Sequence, residues 1–188
     1  MVAHGRRRPR RGRPQGSGHR HGGLSGGGVG SHMAFEDLER HLIALGIAPT
    51  GEAFAPIDAD VVAAIERHAG GRFPDVMTWF FGRFGGSRFD DGALYVDPTG
   101  GEEVMIGWFL DGKELADAFE AFAEVLPPGV VPIADDGGDN MLCVGIGDDN
   151  RGTVYFHPHD RPRPATYQVA PAIEAFMHSL HREVVGND

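Results

Sequence analysis

Apolar positions recur along the chain first at helical spacing and later at strand spacing. Phe35, Leu38, Leu42, Ile43 and Leu45 return every three or four residues, and Gly46 supplies a stop, which predicts a helix over about 35–45. Asp58 or Asp60 is placed to cap a second helix that carries Val61, Val62, Ile65 and His68 and ends at Gly70-Gly71. Phe73-Pro74-Asp75 opens a third, with Pro74 in its first turn and Val76, Met77, Trp79, Phe80, Phe81 and Phe84 as a broad apolar face before Gly85-Gly86. The middle of the chain changes period. Runs at 93–96 and 104–110 are β-branched or aromatic, and Asp97-Pro98-Thr99-Gly100-Gly101 reads as the turn between two strands.

Helical spacing returns from about 112 to 125 through Leu115, Phe119, Phe122 and Leu126, and Pro127-Pro128-Gly129 ends it. Strands are predicted at 130–134, 141–146 and 153–157, each closed by a turn rich in Gly, Asp or Asn. Beyond a proline-interrupted loop at 158–164, a short strand at 167–169 and a last helix from Pro171 through Ile173, Phe176, Met177 and Leu180 complete the pattern. Helices lead, strands cluster, and a helix closes. That order predicts an α+β fold, a single domain with a mainly antiparallel central sheet flanked by helices.

Charge divides the chain in two. Residues 1–32 hold seven of the 17 basic residues and none of the 27 acidic ones, leaving ten basic against 27 acidic residues in the rest. The first segment, built from Gly, Arg, Pro, Ser and His, lacks the apolar surface to offset the entropy of folding and is expected to be disordered. It has no apolar core of a secretory signal. Gly30-Ser31-His32-Met33 matches the tetrapeptide commonly left by a cloning vector, which points to an expression-derived tail or to translated upstream sequence. Were it native, its arginines would bind nucleic acid weakly. The domain proper is then 33–188. Its negative field disfavours nucleic acid and anionic membranes and favours a basic protein partner. No apolar run approaches the length of a membrane span, and Cys143, the one cysteine, excludes an intramolecular disulfide and fits a cytoplasmic protein with a buried, inert thiol.

Three segments carry a resemblance to a known family. One is Ile65-Glu66-Arg67-His68-Ala69-Gly70-Gly71-Arg72-Phe73-Pro74 with the aromatic helix and Phe84-Gly85-Gly86 behind it. The second runs from Leu126-Pro127-Pro128-Gly129 through Val130-Val131-Pro132-Ile133-Ala134 into Asp135-Asp136-Gly137-Gly138-Asp139. The third joins Met141-Leu142-Cys143-Val144 to Gly152-Thr153-Val154-Tyr155-Phe156-His157-Pro158-His159-Asp160. In this order they resemble the SUKH superfamily, which includes immunity proteins of bacterial polymorphic toxin systems and regulators of fungal cell-wall synthesis. The likeness spans about 58–180. It implies an α+β fold and, for most bacterial members, a single-domain inhibitor of one cognate toxin.

Candidate chemistry is sparse. Asp135-Asp136-Gly137-Gly138-Asp139-Asn140 offers oxygens to a hard cation but lacks the alternation of a calcium loop; Gly137-Gly138 reads as a hairpin turn in which Asp135 and Asp139 accept backbone N–H groups. His157 and His159 flank a proline that breaks the strand and reads against a zinc site. No nucleophile elbow or phosphate-cradling loop is present, so no catalytic, cofactor or metal site is expected. The expected function is binding: an immunity protein that neutralises a basic toxin, a nuclease by the charge argument, through Asp90, Asp91, Glu102, Glu103, Asp135, Asp136, Asp139, Asp148 and Asp149, with Trp108 or Phe109 reaching a groove used by the partner. The alternative is a regulatory scaffold with no toxin.

Overall fold

The structure, a computed structural model, describes residues 35–49, 55–159 and 165–182, apart from the side chains of Asp90 and Asp91. The basic tail at 1–32 and most of the proline-interrupted loop lie outside the described residues. Three helices come first: α1 (Glu36–Ala44), α2 (Ala59–Ala69) and α3 (Asp75–Arg83). Strands β1 (Arg88–Val96) and β2 (Glu103–Phe109) precede α4 (Gly112–Phe122), and β3 (Val130–Asp135), β4 (Met141–Gly145), β5 (Val154–His157) and β6 (Tyr167–Ala170) precede α5 (Ile173–Ser179). The six strands form one sheet in the order of the chain, antiparallel throughout. The fold is the α+β domain that the hydrophobic pattern predicts.

Local chemistry sets the helix ends. Asp58 accepts the Asp60 N–H at 2.8 Å at the start of α2, and Gly70, with φ of 71°, closes it in the left-handed conformation that glycine adopts without strain. A reciprocal cap starts α4: Asp111 accepts the Glu114 N–H at 2.8 Å, and the Glu114 carboxylate accepts the Asp111 N–H at 3.0 Å. Pro74 stands one residue before α3 rather than inside its first turn. Arg83 near the end of α3 donates twice to Glu39 of α1, at 2.6 and 2.8 Å, joining the two helices.

Burial on the helix side of the sheet is dominated by aromatic rings. Phe80 lies 4.5 Å from Phe109 and 5.3 Å from Phe84 between ring centroids, and Phe73 meets Phe81 edge-on. Leu38, Val62, Ile65, Met77 and Phe176 complete that cluster from α1, α2, α3 and α5. The opposite face of β3 and β4 is also covered, by Phe122 and Leu126 over Val130, Met141 and Cys143. Being buried on both faces explains why β3 and β4 read as continuous apolar runs and not as alternations. Pro132 is tolerated in a central strand because the β3–β4 register shifts between Pro132 and Ala134.

Strand β1 starts at Arg88, five residues earlier than the pattern predicts. Asp90, Asp91 and Gly92 interrupt the apolar run there, and the register with β2 breaks between Arg88 and Ala93. Further along, Leu94 exchanges backbone hydrogen bonds with His181, so the returning chain pairs with the free edge of β1.

Two glycines separate close approach from free space. A Cβ on Gly71 would stand 2.0 Å from the Ile146 carbonyl oxygen, which already accepts the Arg72 N–H, whereas a Cβ on Gly82 of α3 meets nothing within 4 Å. We expect Gly71→Ala to destabilise the domain by more than about 2 kcal/mol, through forced backbone movement, and Gly82→Ala to stabilise it by about 0.5–1 kcal/mol. Urea denaturation of the two variants beside the parent checks the opposite signs.

Candidate functional site

Strand register gives the sheet two distinct ends. Asp135 pairs with Met141 and Met141 with His157 at one end, while Val130 pairs with Gly145 at the other. Trp108 lies opposite Asp135, so β2 extends past β3 toward Glu103 and the 97–102 turn. Glu102, Glu103, Asp135, Asp136 and Asp139 therefore share the first end. Asp148 and Asp149 sit in the β4–β5 turn at the second, where Asp148 lines a trough of about 570 Å³ together with Glu66, Arg67, Arg72 and Arg151. Asp90 and Asp91 have their backbone in β1, and their side chains lie outside the described residues. The nominated carboxylates are thus divided between the two ends of the sheet; at the first, His181 Nε2 lies 2.9 Å from the Glu103 carboxylate.

The 135–140 turn builds its own scaffold. Asp135 accepts the Gly137 N–H at 2.6 Å. Asp136 accepts the N–H groups of Gly138 and Asn140 and the Asn140 amide at 2.7 Å, and Asn140 in turn accepts the His159 N–H at 2.8 Å. Gly137 and Asp139 are the two residues with positive φ, so Asp139 takes the role expected of Gly138, and Asp136 is the second main acceptor. Asp135 is only 6% exposed. Burial raises its carboxyl above the ordinary range, against the Gly137 hydrogen bond, and the charges of Asp136 and Asp139 push the same way.

A further polar group stands beside this turn. Asp97, 8% exposed, accepts the Tyr167 hydroxyl at 2.5 Å and both the N–H and the hydroxyl of Thr99 at 2.7 Å. Burial pushes its carboxyl up, and the donors from Tyr167, Thr99 and Gly100 more than reverse this, holding it below the usual carboxylate range. Because β1 and β6 are the two edges of the sheet, a flat six-stranded arrangement would separate them by about 24 Å. A direct bond requires the sheet to curl until its edges meet at this end. Tyr95, also on β1, packs its ring against Phe176 at 5.2 Å, and its buried hydroxyl has no hydrogen-bond partner among the described residues. Burial raises that phenol far above its ordinary range, with Tyr167, Asp97 and Asp136 adding to it. An unsatisfied buried hydroxyl costs about 1–3 kcal/mol.

Reading the sequence missed Asp97, Tyr95 and Tyr167. Asp97-Pro98-Thr99 carries a local signal, since an Asp before a turn accepts the N–H two residues on. Nothing local joins residues 95 and 167.

Trp108 is half-buried, with the Arg88 guanidinium 4.9 Å above its ring. Phe109 does not reach a groove: it is 1% exposed and occupies the aromatic core beside Phe80, because its neighbour Trp108 takes the opposite face of the strand. Cys143 is buried, and burial drives its thiol well above the usual range. His157 is buried against Phe122, with Nδ1 2.9 Å from the Thr166 hydroxyl oxygen. Among the described residues, no three His, Cys, Asp or Glu side chains converge to hold a metal ion, and no helix is long and apolar enough to cross a membrane. A shallow groove of about 640 Å³ lies between α2 and α4, walled by Val61, Ile65, Ala116 and Phe119.

A family model described as SMI1/KNR4 family (SUKH-1) matches residues 56–179, more than half of the chain. A relative in Bacillus subtilis (strain 168), named SPbeta prophage-derived uncharacterized protein YokK, is 30% identical over 88 residues, or 46% of this chain. The match spans 44% of that relative's length.

A carboxyl held below its ordinary range contributes stability that is present above about pH 4 and is lost as pH falls through its folded value. Tyr167→Phe removes a donor to Asp97 and is expected to cost about 1–3 kcal/mol at pH 7, with the difference from the parent shrinking toward pH 3. Urea denaturation at both pH values measures it. A difference that does not change with pH would show that the bond does not act through the ionised carboxylate.

Proposed function

The chain belongs to the SMI1/KNR4 family (SUKH-1), and from that premise we propose that it is an immunity-type inhibitor of a basic protein toxin. It captures the toxin against the acidic end of its sheet, blocks it by occlusion, and breaks no bond in it. The work is done in the cytoplasm, where the toxin would otherwise act.

What supports this reading is that Glu102, Glu103, Asp135, Asp136 and Asp139 lie toward the same end of the sheet, with the Asp135 and Asp136 carboxylates fixed by hydrogen bonds before any partner arrives. A preformed surface spends little ordering entropy on binding. Met105 at 47% and Val96 at 54% exposure add apolar area on the β1–β2 hairpin beside Glu102 and Glu103, the pairing of an apolar centre with a charged rim that protein interfaces use. A toxin that acts on nucleic acid carries a basic cleft to hold its substrate, and an acidic surface competes for that cleft directly.

Co-expression with the product of the adjacent gene, scored by growth, tests the reading. Rescue accompanied by a complex that survives gel filtration is expected; a toxic neighbour that is neither bound nor rescued would overturn it. Within a complex, the double variant Glu102→Lys, Glu103→Lys should slow association about tenfold or more at low salt, alongside the loss of stability that follows from removing the 2.9 Å contact between Glu103 and His181. Asp148→Lys with Asp149→Lys, at the far end, should change that rate by less than about twofold. Stopped-flow association at two salt concentrations reads both.

A further inference from the structure

We propose that His181 is a proton-operated clasp: as an imidazolium it fastens the chain leaving α5 across the edge strand β1 to Glu103 of β2, and as a neutral imidazole it lets go. A clasp of this kind works on the folded chain alone, whether or not a toxin is bound.

Backbone geometry sets the clasp in place. Leu94 donates to the His181 carbonyl at 2.8 Å and accepts the His181 N–H at 3.0 Å, so the chain just beyond α5 covers hydrogen-bonding groups that an edge strand otherwise leaves open. Across β1, Met105 of β2 lies opposite Leu94, and Glu103 lies opposite Val96, two positions along. The imidazole therefore spans β1 to reach Glu103, and its Nε2 stands 2.9 Å from the carboxylate oxygen. Its Nδ1 stands 3.3 Å from the Ser179 carbonyl oxygen. Both neighbours accept hydrogen bonds and neither donates. A neutral imidazole carries one N–H and serves one of them, whereas the imidazolium carries two and serves both.

Glu103 is the charged group that acts on the ring. On β1, the Tyr95 ring packs against Phe176, and Asp97, just past the strand, is held by Tyr167 and Thr99. On α1, His41 meets His178 of α5 and not His181. Arg182 forms no ion pair among the described residues. The hydrogen bonds to Glu103 and Ser179, with the carboxylate charge, outweigh burial and hold the imidazole above its ordinary range. A group raised in this direction contributes stability that is complete below its unfolded value of about 6.5 and is lost as pH rises through the folded value. The clasp therefore holds in mild acid and opens in mild alkali. Opening also leaves the Glu103 charge uncompensated beside Glu102. With side chains 35% and 54% exposed, the pair moves the local equilibrium by only a few-fold.

Amide hydrogen exchange of the full chain, followed by NMR, reads the clasp at the Leu94 N–H. Relative to the intrinsic rate at each pH, Leu94 protection should fall about two- to fivefold between about pH 5.5 and about pH 8. His181→Gln keeps a hydrogen-bonding side chain that does not titrate, and it should abolish this dependence. Glu103→Gln should weaken the dependence and lower the midpoint at which the His181 ring resonances titrate. Equal Leu94 protection at both pH values in the parent overturns the proposal, as does a pH dependence that persists unchanged in His181→Gln. An unmoved His181 midpoint in Glu103→Gln overturns it too, because the ring would then not be paired with that carboxylate.

Discussion

One carboxylate, Asp97, is taken out of water at the edge of the sheet and kept ionised by hydroxyl and amide donors, and the Tyr167 hydroxyl among them comes from the opposite edge. That hydrogen bond couples the sequence-local turn at 97–101 to a residue seventy positions away. It fixes the curl of the sheet, and the curl determines which side chains face one another across its concave side. Tyr95, Asp135 and Asp136 come together as a consequence. Remove the curl and each would belong to a separate strand end with its own solvent.

The cost of this arrangement is visible in the ionisation behaviour of its members. Asp97 has enough donors to overcome burial, whereas Asp135, with fewer donors and two acidic neighbours, does not. The two carboxyls are pulled in opposite directions within a few residues of the same concavity. At the far end of the sheet the balance differs, because Arg67, Arg72 and Arg151 share a trough with Asp148.

Much of the architecture was legible from residue spacing. The α2 boundaries followed from Asp58 and Gly70, whose chemistry acts within one turn, and β3, β4 and β5 announced themselves as apolar runs because burial on both faces leaves no room for polar alternation. The first part of β1 escaped detection, since a bulge with two aspartates and a glycine carries no period. The concave cluster was invisible for a different reason: Tyr95 and Tyr167 have no local relation, and only closure of the sheet brings them near. Trp108 and Phe109 illustrate the limit within two residues. Both are large and aromatic, and the strand's two-residue repeat sends one to the core and the other to a cation; composition cannot tell which.

Cys143 sits at the centre of β4 with its sulfur sealed under Phe122 and Leu126, and burial denies it the thiolate form. A thiol-modifying reagent can then reach it only when the central strands part. As the chain's single sulfhydryl, it makes the rate of alkylation a clock for the opening of the whole sheet, and tightening of that clock by a bound molecule would report how strongly the molecule grips the folded state.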